Sequence, residues 1–124
     1  MIYDITRDLS EDCILYPGDV RPRFHEIDNG QYRVTEMVLG SHTGTHIDAP
    51  SHYIEGGLTV DEIPIPVLVG PARVLDCSDA GEVIEPGHLA GRLDGAKAIL
   101  VKTRFSGRRE FDPGYPSLSL EAAG

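Results

Sequence analysis

Glycine and proline interrupt the alternation of apolar and polar residues so often that the chain divides into short segments, none patterned like a long helix. Residues 2–6 form a short β-prone segment, and the acidic stretch after them ends in a loop at Tyr16-Pro17-Gly18-Asp19, closed by a Pro-Gly turn. Asp28-Asn29-Gly30 is a hairpin-type turn signal, and residues 32–39 beyond it have a strand's composition and most of its alternation. Two interior strands are predicted, one over residues 72–77 and one around Ile99-Leu100-Val101 within residues 96–103. Thr59-Val60-Asp61-Glu62 offers a cap-like start that Pro64 soon stops, residues 86–93 suit a short helix, and residues 117–124 approach another. The fold class predicted is α/β, mostly short strands and loops with few short helices.

At 124 residues, one domain is the expectation, because no room remains for a second core. The formal charge of −9 repels phosphate backbones and anionic lipid heads, so neither nucleic acid nor membrane is an expected partner. The opening residues carry acids where a secretory signal carries an apolar run, and no segment has the length of a membrane span. Cys13 and Cys77 form no CxxC pair and read as reduced thiols, which makes the cytoplasm the expected compartment. So little core leaves apolar surface and sheet edges exposed, and homo-oligomerisation is the expected remedy.

Candidate chemistry is concentrated in residues 39–52, where His42, His46, Asp48 and His52 fall within eleven positions that hold three of the chain's five histidines. Imidazole nitrogen and carboxylate oxygen are the usual ligands of zinc and related divalent ions, and ligand atoms around one ion must lie within about 4 Å of each other. A straight strand would leave His42 about 13 Å from His46. A helix would bring the two together, but Gly40, Gly44 and Pro50 oppose one. A bend at Gly44, where the missing side chain permits unusual dihedrals, folds His42 back toward His46 and Asp48, and Pro50 turns His52 toward the same cleft. His42, His46 and Asp48 are the candidate metal ligands, and His52 is a candidate catalytic or supporting group. Asp48 also suits a turn-forming acceptor before Pro50, and His52 a loop cap. Thr43 and Thr45 are expected as hydroxyl donors to the ligands or as strand fillers. His88, beside a short helix start, is expected to cap rather than ligate, and Arg104, Arg108 and Arg109 to form a solvated face.

The string His42-Thr43-Gly44-Thr45-His46-Ile47-Asp48-Ala49-Pro50-Ser51-His52 closely resembles the H-x-G-T-H-x-D-x-P-x-H signature of the cyclase family of metal-dependent hydrolases, which includes bacterial kynurenine formamidase and isatin hydrolase. Asp4-Ile5-Thr6, Tyr16-Pro17-Gly18-Asp19 and the stretch from Gly56 to Pro64 are similar to further parts of that family. The resemblance implies a swivelling β/β/α domain. It also implies a metal held by His42, His46 and Asp48, with Asp48 bridging to a second ion in two-metal members, and proton transfer by His52. Members are longer, and a later His and Glu complete their second metal position, so residues 1–124 are expected to form one such domain, incomplete at its C-terminus. Tyr16 stands where kynurenine formamidases place a pocket-lining tryptophan, which makes it the candidate substrate-binding residue and leaves kynurenine specificity open. A divalent ion, zinc first and manganese second, would polarise a carbonyl and activate water. The expected partner is a small-molecule amide, an N-formyl amide or lactam. The alternative is a truncated or degenerate metal-binding relative with little activity.

Overall fold

The computed structural model describes all 124 residues, and the chain forms two compact units. The first comprises residues 1–63 with 109–111, and the second residues 64–108 with 112–124. No helix is long and apolar enough to cross a membrane.

In the first unit, β1 (Arg23–Asp28) and β2 (Arg33–Val38) pair antiparallel, with Asp28 opposite Arg33. The turn between them follows from its residues: Asp28 Oδ1 accepts the Gly30 amide at 2.7 Å, and Gly30 takes φ +78°, the left-handed region that glycine enters without steric cost. Arg33 closes the hairpin's end, with ion pairs to Asp28 at 3.3 Å and Glu26 at 3.6 Å. The strand expected at residues 32–39 is therefore present, and β1 is an addition. Residues 2–6 form no strand, correcting the sequence expectation. Their backbone has no strand neighbour to pair with, and Asp4 instead accepts from the Thr6 amide at 2.9 Å and from its hydroxyl at 2.5 Å. The 3₁₀ turns Pro50–His52 and Val60–Glu62 complete the unit's regular structure, and Glu62 accepts the Thr59 amide at 2.8 Å.

The second unit contains the buried core. β3 (Ala72–Asp76) and β5 (Ala98–Lys102) pair in parallel, Leu75 opposite Val101. The chain between them supplies β4 (Val83–Ile84) and the one-turn helix α2 (Pro86–Leu89). β4 pairs in parallel with β6 (Ser117–Leu118), while α1 (Ile65–Leu68) and α3 (Leu120–Ala123) are single turns. Leu75, Cys77, Ala80, Ile84 and Leu89 are buried together, with Ile99, Val101 and Ala122 packed against them. β3 and β5 match the expected strand positions, but each has one neighbour rather than two, and the face bearing Val74 and Leu100 is open. The expected helix over 86–93 stops after one turn because the backbone turns extended at Ala90 (ψ 131°) and Gly91 follows at φ +71°, closing a turn in which Arg92 N donates to Leu89 O at 3.1 Å. His88 Nδ1 accepts the Glu85 amide at 2.9 Å, the capping role expected of it. Asp76 anchors the sheet's edge: Lys102 donates to its carboxylate at 2.6 Å and Ser78 at 2.6 Å, contacts that hold the carboxyl well below the usual range.

Two stability outcomes follow. Leu75→Ala removes the centre of the core and should lower unfolding free energy by about 2 to 5 kcal/mol in urea titrations, whereas Leu100→Ala on the open face should cost under about 1.5 kcal/mol. Because the Asp76 carboxyl is depressed in the folded chain, its contribution is complete above the unfolded carboxylate range and disappears as pH falls through the folded value. Asp76→Asn should therefore lower the urea midpoint at pH 7 and flatten its decline on acidification; an unchanged pH profile would contradict that assignment.

Candidate metal centre

No strand or helix carries the four motif residues; a chain of tight turns in the first unit does. Thr43 N donates to Gly40 O at 3.1 Å, and the Thr43 hydroxyl accepts the Gly40 amide at 3.0 Å, closing the first turn on both sides. Gly44 follows at φ +68°, the bend its residue type allows, with only Leu9 Cδ1 near where a Cβ would stand, at 3.4 Å. The Thr45 hydroxyl accepts the Arg7 amide at 3.0 Å, tying the N-terminal segment to the loop. Thr43 and Thr45, expected as donors to the ligands or as strand fillers, instead accept backbone amides and hold the loop itself. Ala49 is extended, and Pro50 at the first position of the 3₁₀ turn sends His52 back along the chain.

The bend brings three ligand-type atoms into a triangle. His42 Nδ1 lies 3.1 Å from His46 Nε2 and 3.0 Å from Asp48 Oδ1, and His46 Nε2 lies 3.5 Å from the same oxygen. His46 Nδ1 is 2.9 Å from the Gly44 carbonyl. A carbonyl only accepts, so Nδ1 carries a proton, and in the neutral ring that a metal ligand requires the Nε2 lone pair faces Asp48. A single proton on His42 Nδ1 serves at most two edges of this triangle. The third edge still sets an imidazole lone pair against a carboxylate oxygen. A cation at the centre satisfies all three.

The spacing fits such an ion. Ligand atoms at about 2.0–2.2 Å from a tetrahedral metal stand about 3.3–3.6 Å apart, and the observed separations of 3.0, 3.1 and 3.5 Å lie close to that range. The histidine side chains are about one-third exposed and that of Asp48 is 55% exposed, which leaves a side open to solvent. His52 lies outside the triangle but against it: its ring centroid is 4.4 Å from that of His42, tilted 49°, and 4.3 Å from that of Tyr53. Tyr16 packs edge-on against Phe111 at 5.1 Å. The sequence carried no signal for Phe111, because that contact joins positions far apart along the chain.

Comparison with known proteins identifies the family. The family model described as "Putative cyclase" matches residues 3–124. Kynurenine formamidase of Bacillus mycoides is 33% identical over 126 residues, covering 97% of this chain and 60% of the relative. Kynurenine formamidase of Salinibacter ruber is 36% identical over 109 residues, covering 82% of this chain and 51% of the relative. The solved structure described as a potential metal-dependent hydrolase with cyclase activity superposes with a TM-score of 0.79 at 31% identity, covering 98% of this chain and 59% of that one. A structure described as a predicted metal-dependent hydrolase from Bacillus stearothermophilus gives the same score and identity and is covered to 60%. The chain thus spans about 60% of the length of several relatives it matches. With its signature, its turn-built triangle and a family match over nearly its whole length, the chain belongs to the cyclase family.

Proposed function

We propose that this chain carries the divalent-metal site of an amide hydrolase, with His42, His46 and Asp48 as ligands and His52 as the proton-transferring group. The observation that carries the reading is the triangle of His42 Nδ1, His46 Nε2 and Asp48 Oδ1, three ligand-type atoms 3.0, 3.1 and 3.5 Å apart. A bound zinc or manganese would supply Lewis acidity to a carbonyl and to water at neutral pH. The chain's own residues do the rest. His42 and His46 offer neutral nitrogens, and Gly44 fixes the His46 tautomer through its carbonyl. Asp48 contributes the charge. His52, packed on His42, is within reach of a proton moving between attacking water and leaving nitrogen. Tyr16, with Phe111 at its edge, offers an apolar surface for the acyl or aromatic part of a substrate. Substrates of this reading are N-formyl amides and cyclic amides, and the swivelling β/β/α arrangement is the fold we assign to the family-length protein.

A second reading has an observation of its own. The chain spans about 60% of relatives named kynurenine formamidase, so these residues alone would bind metal with little turnover. The open face of β3 and β5 favours self-association, with Val74 61% exposed. Light scattering should show an oligomer at micromolar concentration, and a monomer throughout would refute that part.

Three substitutions test the centre. His46→Ala should abolish stoichiometric zinc or manganese uptake in calorimetry, and unchanged affinity would overturn the ligand assignment. His52→Ala should keep affinity within a few-fold while lowering any hydrolysis of N-formylkynurenine, isatin or simple lactams by about 10² to 10⁴. Equal loss of metal in both variants would make His52 a ligand. Gly44→Val forces a β-branched residue into the left-handed region and should weaken metal binding at least tenfold without unfolding the second unit's core.

A further inference from the structure

The turn that carries His52 is closed by its own backbone. Ser51 N donates to Leu58 O at 3.0 Å, Gly57 N to Ile54 O at 2.9 Å, and Ile54 N to Pro50 O at 2.9 Å. His52 N itself donates to Ala49 O at 2.9 Å. Residues 50–58 therefore return on themselves through the turn from Ile54 to Gly57, and Gly57 is where the returning chain passes against Pro50 and Ser51. A Cβ built there would stand 2.9 Å from Pro50 C, 2.9 Å from Ser51 N and 3.0 Å from Ile54 O. Ordinary contacts between carbon atoms begin at about 3.5 Å, and all three atoms are backbone, so no rotamer change relieves the overlap. Gly56 beside it has a different reason to be glycine: φ is +73° and nothing lies within 4 Å of its Cβ position.

We propose that Gly57 is a positioning residue for His52, its missing side chain letting the chain close against Pro50 and Ser51 and so fixing the His52 ring beside His42. The inference rests on the reading of His52 as the proton-transferring group. A methyl at position 57 pushes on the two residues immediately before His52, and the imidazole moves with them. His42, His46 and Asp48 precede Pro50 and are held by the Gly44 bend and the bond from His46 to the Gly44 carbonyl, so the triangle does not depend on this closure. Gly57 thus separates two properties that a ligand substitution would lose together: the metal stays, and the neighbouring histidine is displaced.

The test is Gly57→Ala in the whole chain, labelled with ¹⁵N-histidine and observed by NMR with zinc present. The His52 side-chain resonances should shift or broaden, those of His46 should stay in place, and zinc affinity by calorimetry should stay within about threefold. Where hydrolysis is measurable, kcat should fall at least tenfold with KM within about threefold. Unmoved His52 resonances in a folded Gly57→Ala chain would overturn the proposal, as would zinc affinity lost in parallel with the His52 shift. Should the variant fail to fold, hydrogen exchange of the unmodified protein decides the matter. The Ser51 and Gly57 amides should exchange about tenfold or more slowly than that of Glu55, and exchange at the rate of free peptide would overturn the closure. The two readings fail separately: full hydrolysis by His52→Ala would remove the proton-transfer role, while a His52 shift in Gly57→Ala would still establish the positioning.

Discussion

Everything at the candidate centre depends on one electrostatic constraint, the approach of two imidazole nitrogens and a carboxylate oxygen to within 3.5 Å of each other. Such an arrangement is unfavourable unless something positive is shared among the three atoms. Side-chain entropy alone would disperse groups that are one-third to one-half exposed. The backbone prevents this. Gly44 supplies the bend, its carbonyl fixes the outer nitrogen of His46, and the hydroxyls of Thr43 and Thr45 pin the loop on either side of the bend.

This is an economical way to build a site with little core beneath it. The cluster of buried apolar residues lies in the second unit, around Leu75 and Cys77, whereas the first unit carries the motif on turns in which the Gly40, Thr43 and His52 amides find partners three residues away. Local hydrogen bonds of this kind contribute little each in net terms, but an unmet one is costly, and so they act together to select one loop conformation. The consequence is three ligand-type atoms held together with one face open, the arrangement that the proposed catalytic metal site would require. The same logic explains why two adjacent glycines after His52 differ in purpose, one chosen for its dihedral and the other for the space it leaves.

Exposed apolar residues carry the complementary lesson. Val74 and Leu100 stand opposite each other on the open face of a two-stranded parallel sheet, an architecture normally covered on both faces. Binary pattern alone marked both strands as interior, and that pattern reports which residues favour burial rather than what buries them. Residues 2–6 illustrate the same point in reverse. Their composition suits a strand, yet a strand exists only where a neighbour accepts its hydrogen bonds.

The sequence by itself determined the mixed α/β character, the positions of β2, β3 and β5, and the identity of the metal-ligand candidates, because each is encoded by residues close together: alternation, a turn dipeptide, or four ligand-type side chains around a glycine. It also determined that the chain must bend at Gly44, since neither a straight strand nor a helix was compatible with that spacing and composition. Only the tertiary structure decided that β1 completes a hairpin, that β4 finds β6, that Phe111 meets Tyr16, and that Thr43 and Thr45 brace the backbone rather than the ligands. It alone showed Gly57 closing on Pro50 and Ser51. Local dihedral preference and residue chemistry are written in a few consecutive letters. Contacts between distant positions, and even the choice of which amide a hydroxyl serves, follow from where the whole chain places its backbone.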